Sequence, residues 1–378
     1  MLFRSKQYIE GKSMRLDNWA SHLIAVAAAL ILTGCSDSDG DSAQHSSGLA
    51  DEKVQQKVKL NMASAFPASL ELIGKNGVRF SDTIEEVSAG TLELKFFEPG
   101  ALVPALEAIP AASKGSVDVA WSTSGFYAGN DLAFSFFTSV PFGASADELL
   151  AWLQYGGGNE LADEMYAEHN IKAIPCFITP PEASGWFRKE INSVDDLKGM
   201  KMRFFGLGAK VMDKLGVATQ LLAGGDIFQA LQLGTIDATE FSVPTVDESS
   251  SFYQVAKHYY FPGWHQATAL GGLFFNMDVW NSLSSYHQKI VEVSCGYIIK
   301  EMIAEGEATQ APAMRRMVEK HGVTIHYWSD EILNAYRTAW DEVVLEESAK
   351  NPKFKKIHDS YTKFREDYKL WGENGYLR

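Results

Sequence analysis

Apolar and polar positions alternate over residues 57–63 (KVKLNMA) with the two-residue period of a strand, and Phe66-Pro67 ends the run. Between residues 69 and 87, Leu72, Ile73, Phe80, Ile84 and Val87 recur at helical spacing, and Gly90 closes the segment. Residues 91–97 predict a second strand stopped by Pro99-Gly100, residues 103–112 a short helix, and residues 117–121 a third strand. The alternation continues with a helix over 146–169 and strands at 171–177 and 185–188. A capping-box-like helix start follows at Ser193-Val194-Asp195-Asp196, with a stop at Gly199. Next come a strand over 201–205, helices at 208–215 and 226–233, and strands at 236–241 and 270–276. From residue 277 to about 321 the pattern is helical with one soft interruption at Pro312, and further helices reach Trp371. Strands alternating with helices in this way predict a parallel sheet built from βαβ units, an α/β fold. Crossovers near Pro180-Pro181 and Gly271-Gly272 divide it into two lobes, and no internal repeat is evident.

A chain of 378 residues, 46% hydrophobic, has enough apolar material for two lobes with cores of their own. The net charge of −14, with no basic run outside the extreme N-terminus, argues against a nucleic-acid-binding surface. Three cysteines exclude a disulfide-rich scaffold and a four-cysteine metal site. Residues 23–32 (LIAVAAALIL) form an unbroken apolar run that is too short to span a bilayer and right for a signal-peptide core. Leu32-Thr33-Gly34-Cys35 then resembles a bacterial lipobox, which makes residues 1–34 a lipoprotein signal and Cys35 the lipidated first residue of a periplasmic, membrane-anchored protein. Met14 opens a better-proportioned signal than Met1. Residues 35–56, polar and small, read as a flexible tether. Export leaves Cys176 and Cys295, which could pair but whose apolar surroundings favour two buried thiols.

Several motifs in order resemble the DctP-type solute receptors of TRAP transporters. Lys198-Gly199-Met200-Lys201-Met202-Arg203 is one, continued by residues 207–216 (LGAKVMDKLG) and 229–238 (QALQLGTIDA). Upstream, residues 99–104 (PGALVP) and 114–118 (KGSVD) fit as well, so the resemblance runs from about 57 to about 370. Residues 155–158 (YGGG), 186–191 (WFRKEI) and 259–264 (YYFPGW) are similar to the branch that binds 2-oxo- and 2-hydroxy-carboxylates. The resemblance implies a two-lobed, periplasmic-binding-protein-like fold. One lobe is 57–180 with a return near 271–280, the other 181–270, and residues 281–378 form long helices spanning both. It further implies a receptor that catalyses nothing and delivers a small carboxylate to two membrane subunits driven by a sodium gradient. Residues 277–321 are long enough for a homodimer of the kind known in this family, and equally for a spine across both lobes of a monomer. A sensor subunit of a signalling system is the alternative function. An enzyme using Glu182 and Glu240 as acid and base is a third, for which no catalytic grouping of Ser, His and acid speaks.

Within an acidic protein an anion needs one fixed positive group, and arginine's planar fork suits a carboxylate. Arg203 lies in the apolar run MRFF; read alone it is a solvated edge-strand side chain, whereas the resemblance makes it the carboxylate-binding arginine. The resemblance also implies a bridging cation, Na⁺ or Ca²⁺, held by the side chains of Glu182, Glu240 and Gln266 and the carbonyl of Phe241. Two of these positions depart from the family pattern in opposite senses, with a carboxylate for an amide at 182 and an amide for a carboxylate at 266. The donor set keeps two carboxylates and one amide, a hard-oxygen set suited to either ion. His265, next door, reads as a packed or capping residue. Glu182 would also meet the ligand, and Phe66, Trp121, Phe126, Tyr127, Trp186 and Phe241 are the aromatic candidates for its apolar walls, several lying at C-terminal strand ends.

Overall fold

The computed structural model of the chain describes residues 57–376. The expected signal peptide over 1–34, the expected lipidation site Cys35 and the expected tether to residue 56 lie outside the described residues. Among those described, no helix is long and apolar enough to cross a membrane.

Eleven strands appear among the described residues: β1 (Val58–Ser64), β2 (Leu92–Phe97), β3 (Val119–Ser122), β4 (Ile171–Ile178), β5 (Gly185–Phe187), β6 (Lys201–Arg203), β7 (Ala218–Gln220), β8 (Ala238–Thr239), β9 (His258–Phe261), β10 (Leu270–Asn276) and β11 (Thr324–Tyr327). They form two sheets, ordered β2-β1-β3-β10-β4 and β11-β9-β5-β8-β6-β7. In the first, β1 runs parallel to β2 and β3, as its alternating pattern predicts. In the second, β6 runs parallel to β7 and β8. The sheets are not wholly parallel, however. β10 lies antiparallel between β3 and β4, and β5 lies antiparallel between β8 and β9. The chain passes from the first sheet to the second between β4 and β5 and returns between β9 and β10. A strand arriving from the other lobe enters its sheet from the opposite end.

The helices are α1 (Ile73–Val87), α2 (Ala108–Ser113), α3 (Ala146–Tyr155), α4 (Gly158–Ala167), α5 (Gly206–Lys214), α6 (Gly224–Leu233), α7 (Pro244–Ser249), α8 (Met277–Ser282), α9 (Ser285–His321), α10 (Asp330–Lys350) and α11 (Pro352–Asn374). The single helix expected over 146–169 is two, broken where Gly157 takes a left-handed φ of 86°. The Ser193 capping box forms with Asp196 at the third position, on a single 3₁₀ turn. Pro312 does not interrupt α9; the break falls earlier, where the Ser284 side chain caps the helix by accepting from the His287 N–H. Proline removes one backbone bond, and tertiary packing retains the helix: α9 lies on α1 and β4 at the first sheet and on α7 at the second.

The cysteines are a correction. Cys176 and Cys295 form a disulfide rather than two thiols, bridging 119 residues and fastening β4 to α9. Apolar surroundings around each residue do not reveal that the two share one interface. A bridge closing a loop this long restricts the unfolded chain strongly. Replacing both cysteines by alanine is expected to cost about 2–4 kcal/mol of stability. Urea unfolding of the variant and of the oxidised protein measures it, and coincident curves would refute the bridge's role.

Candidate functional site

The register of β6 against β8 pairs Arg203 with Thr239, so the next residue, Glu240, reaches the C-terminal end of the sheet beside the arginine. Arg203 is buried at 1% exposure and Glu240 at 0%. A charge in such a place is sustained only by partners. Arg203 Nη1 donates to Glu240 Oε1 at 2.6 Å and to the Glu240 carbonyl at 2.9 Å, and Nε donates to the Leu222 carbonyl at 3.2 Å. The solvated edge-strand reading of Arg203 is therefore overturned. Nη2 has no hydrogen-bond partner among the described residues, and Arg203 lines a cavity between the sheets.

Two further segments converge on this point. Glu182 ends the turn after β4, where its N–H donates to the Gln266 carbonyl and its own carbonyl accepts from the Gly263 N–H. Gly263 is required by proximity, since a Cβ there would lie 2.2 Å from the Glu182 carbonyl oxygen. Residues 182 and 266 are thus backbone neighbours, and both side chains line the cavity. Around the site, Glu182 Oε2, Glu240 Oε2, Gln266 Oε1 and both ring nitrogens of His265 are buried without a hydrogen bond. Unsatisfied polar atoms of this kind are rare in native proteins, and their clustering here needs a cause. Glu182, Glu240 and His265 offer ligand atoms all within 4.8 Å of one another, so the two expected carboxylates lie close enough to share one cation.

The electrostatics agree. Burial pushes the Glu182 carboxyl well above the usual carboxylate range; Glu240 and Asp247 add repulsion that Arg203 and a Ser242 hydrogen bond only partly offset. At Glu240 burial acts the same way, but Arg203 and His265 outweigh it and the group stays below its ordinary value. His265 Nε2 lies 3.5 Å from Glu240 Oε2, and its ring meets Phe204 edge-on. Asp247, at the head of α7, was not singled out in the sequence. Burial pushes it up to about 7 although it accepts from the Trp186 indole, the Tyr259 hydroxyl and the Ser242 N–H. It ties the turn carrying Glu240 and Phe241 to β5 and β9. Its only sequence signal is an acid in the otherwise uncharged run SVPTV-Asp247.

The cavity measures about 40 Å³. Phe66, Ile73, Phe126 and Phe177 face it from the first lobe, and Phe205 and Phe241 from the second. Of the aromatic candidates, Phe66, Phe126 and Phe241 line this cavity, and Trp121, Tyr127 and Trp186 do not. Trp121 points to the α1 side of β3, donates to the Ile73 carbonyl and stands behind Phe177. Tyr127 and Phe126 are neighbours on a 3₁₀ turn, where successive side chains diverge by about 120°. Phe126 enters the cavity, while the Tyr127 hydroxyl meets His169 Nδ1. Trp186 stacks on Tyr259 and serves Asp247.

Residues 63–351 match the family of bacterial extracellular solute-binding proteins, family 7. The chain is 34% identical over 315 residues to a monocarboxylate 2-oxoacid-binding periplasmic protein of a Nostoc species, across 83% of this chain and 86% of the relative. Among solved structures, a TRAP transporter solute-binding protein from Bordetella bronchiseptica superposes with a TM-score of 0.82 at 34% identity, covering 84% of this chain and 94% of that one. It is a dimer with calcium and picolinate in one active site and the other site apo. A counterpart from Pseudoalteromonas atlantica, with bound sodium and pyruvate, gives a TM-score of 0.80 at 30% identity over 84% of this chain and 96% of that one. Another, from Colwellia psychrerythraea, has bound calcium and pyruvate, a TM-score of 0.80 and 29% identity over the same shares.

Because the folded site raises the pKa of Glu182, it favours the protonated acid. That contribution to stability is present near the ordinary carboxylate pKa and is lost as pH rises through the folded value. In cation-free buffer the variant Glu182→Gln should therefore gain stability relative to the wild type as pH rises from about 4.5 upward. Added cation should shrink the gap. Denaturant unfolding across pH measures it, and a pH-independent difference would contradict the assignment.

Proposed function

The chain belongs to the bacterial extracellular solute-binding proteins of family 7, and on that footing we propose that it is a periplasmic receptor for a small 2-oxo- or 2-hydroxy-monocarboxylate, serving a TRAP transporter. The observation that carries this reading is the unpaired Nη2 edge of a buried arginine, set beside buried carboxylate and amide oxygens that lack partners. Arg203 pairs the ligand's carboxylate, and Glu240 holds the guanidinium in place. Glu182, Glu240, Gln266 and the Phe241 carbonyl would hold a cation, Na⁺ or Ca²⁺, that neutralises these acids and meets the ligand's carboxylate and 2-oxygen. Three relatives of known structure support this pairing, having calcium or sodium bound together with picolinate or pyruvate. The exchange of amide and carboxylate between 182 and 266 fits their adjacency: the donor set is conserved in charge although the positions swap.

Capture proceeds by closure of two lobes, 57–180 with 271–280 and 181–270, about the crossing segments, with the C-terminal helices spanning both. The protein binds and releases its ligand unchanged and hands it to two membrane subunits. Cys35 supplies a lipid tether, and pairing of two copies through 277–321 is the assembly this reading favours. Each addition has its own readout: Cys35→Ser should move the protein from the membrane fraction to the soluble periplasm.

Two results test the site itself. Arg203→Lys keeps a charge but loses the planar fork, and calorimetric titration with pyruvate in the presence of calcium should show binding at least ~30-fold weaker. Near-normal affinity would contradict the role of Arg203. Exhaustive chelation and desalting should weaken pyruvate binding to the wild type, and restoring Ca²⁺ or Na⁺ should recover it; unchanged affinity would remove the cation from the account.

A further inference from the structure

The two sides of the cavity differ in kind. Every charged side chain that lines it, Arg203 and Glu182, belongs to the second lobe or the crossing that leads into it. The first lobe contributes rings, Ile73 and three hydroxyls, and each hydroxyl has partners: Thr179 Oγ1 accepts from the Ala269 N–H and donates to Glu182 Oε1 at 3.5 Å. Thr123 Oγ1 donates to the Leu270 carbonyl and lies 2.7 Å from Thr138 Oγ1, which accepts from the Gly125 N–H. With the Thr123 proton on Leu270, the Thr138 proton goes to Thr123 and the Thr179 proton to Glu182, so each hydroxyl proton on this wall already has an acceptor.

Where the lobes meet, Phe126 of the first and Phe205 of the second pack edge to face with centroids 5.2 Å apart. That contact depends on residue 125 being glycine. A Cβ there would lie 2.1 Å from Phe205 Cζ, inside any permissible contact, and the atom it meets is the tip of a ring held between lobes.

Resting on the proposed 2-oxoacid site, we propose that Phe126 and Phe205, brought together over Gly125, form a filter on the substituent at the ligand's third carbon. The filter admits a short apolar tail and rejects both a long tail and a second carboxylate. A long tail would have to part the two rings, and with them the lobes. A second carboxylate would be buried against phenyl faces and spent hydroxyls with no positive partner. Arg203 cannot serve it, being engaged at the ligand's other end.

The test titrates pyruvate, 2-oxobutyrate, 2-oxohexanoate and 2-oxoglutarate into the wild type, Phe205→Ala, Phe205→Leu and Gly125→Ala, all with calcium present. For the wild type, 2-oxohexanoate should bind at least ~10-fold more weakly than pyruvate, the scale on which a closed apolar pocket discriminates chain length. 2-Oxoglutarate should be weaker still. Phe205→Ala should narrow the ratio between 2-oxohexanoate and pyruvate by ~10-fold while still rejecting 2-oxoglutarate. Phe205→Leu, which preserves more of the packing, should do so to a smaller extent. Gly125→Ala should weaken every ligand together, because it displaces Phe205 and opposes closure. If the wild type binds the 2-oxoacids but the ratios stay fixed across the Phe205 variants, the filter is wrong and the 2-oxoacid reading survives. If 2-oxoglutarate binds the wild type as well as pyruvate does, the filter is likewise wrong. If the wild type binds none of the four with calcium present, the reading of the site falls and the filter with it.

Discussion

A guanidinium and a carboxylate buried together at the ends of two adjacent strands are the constraint around which this site is arranged. Removing Arg203 and Glu240 from water is expensive, and their mutual attraction repays it only where the remaining hydrogen-bonding capacity is met. Here it is met on one side only. Arg203, which lines the cavity, spends Nη1 and Nε on Glu240 and Leu222, which fixes the plane of the fork and leaves Nη2 without a hydrogen bond among the described residues. Glu240 spends Oε1 on the arginine and leaves Oε2 without a hydrogen bond, 3.5 Å from His265 Nε2. A pair satisfied on one face and open on the other stores binding energy for something that supplies an anion and a cation together. Burial first, and repulsion from Glu240 and Asp247 second, drive Glu182 toward its neutral form.

The rest of the fold serves this geometry. Parallel pairing of β6 with β8 sets Arg203 beside Glu240, and Asp247 braces the turn that follows β8. The crossing after β4 brings Glu182 against the segment 263–266, where only a glycine at 263 permits the approach. α9 lies across elements of both sheets, and the Cys176–Cys295 bridge fastens it to the first. The long helix is thus anchored at one lobe by a covalent bond and rests on α7 of the other.

Much of this was legible in the sequence, for identifiable reasons. β1 and β2 follow from alternation, α1 from helical spacing, and the Ser193 turn from its capping residues. Arg203 stands out as a charge inside an apolar run, whereas Glu240 was reached through family resemblance. Glu182 and Gln266 carry no local signal and were reached through family resemblance alone; the structure then makes them neighbours. What escaped has a physical cause in each case. β7 is a three-residue strand with no buried position, so it lacks a pattern to read. β9, HYYF, does not alternate, and β11, TIHY, alternates over only four residues with no buried position. Phe126 and Tyr127 are chemically similar and adjacent, and only the 3₁₀ turn decides which enters the cavity. The disulfide joins positions 119 apart, a proximity that tertiary packing alone creates.

The most direct test of the central claim is a crystal structure of the protein grown with pyruvate and calcium, with anomalous scattering used to locate the metal. The account predicts the ligand's carboxylate within hydrogen-bonding distance of Arg203 Nη2, and a single cation contacting Glu182, Glu240 and Gln266. A carboxylate bound elsewhere in the cleft, or a cation position away from those three side chains, would contradict it.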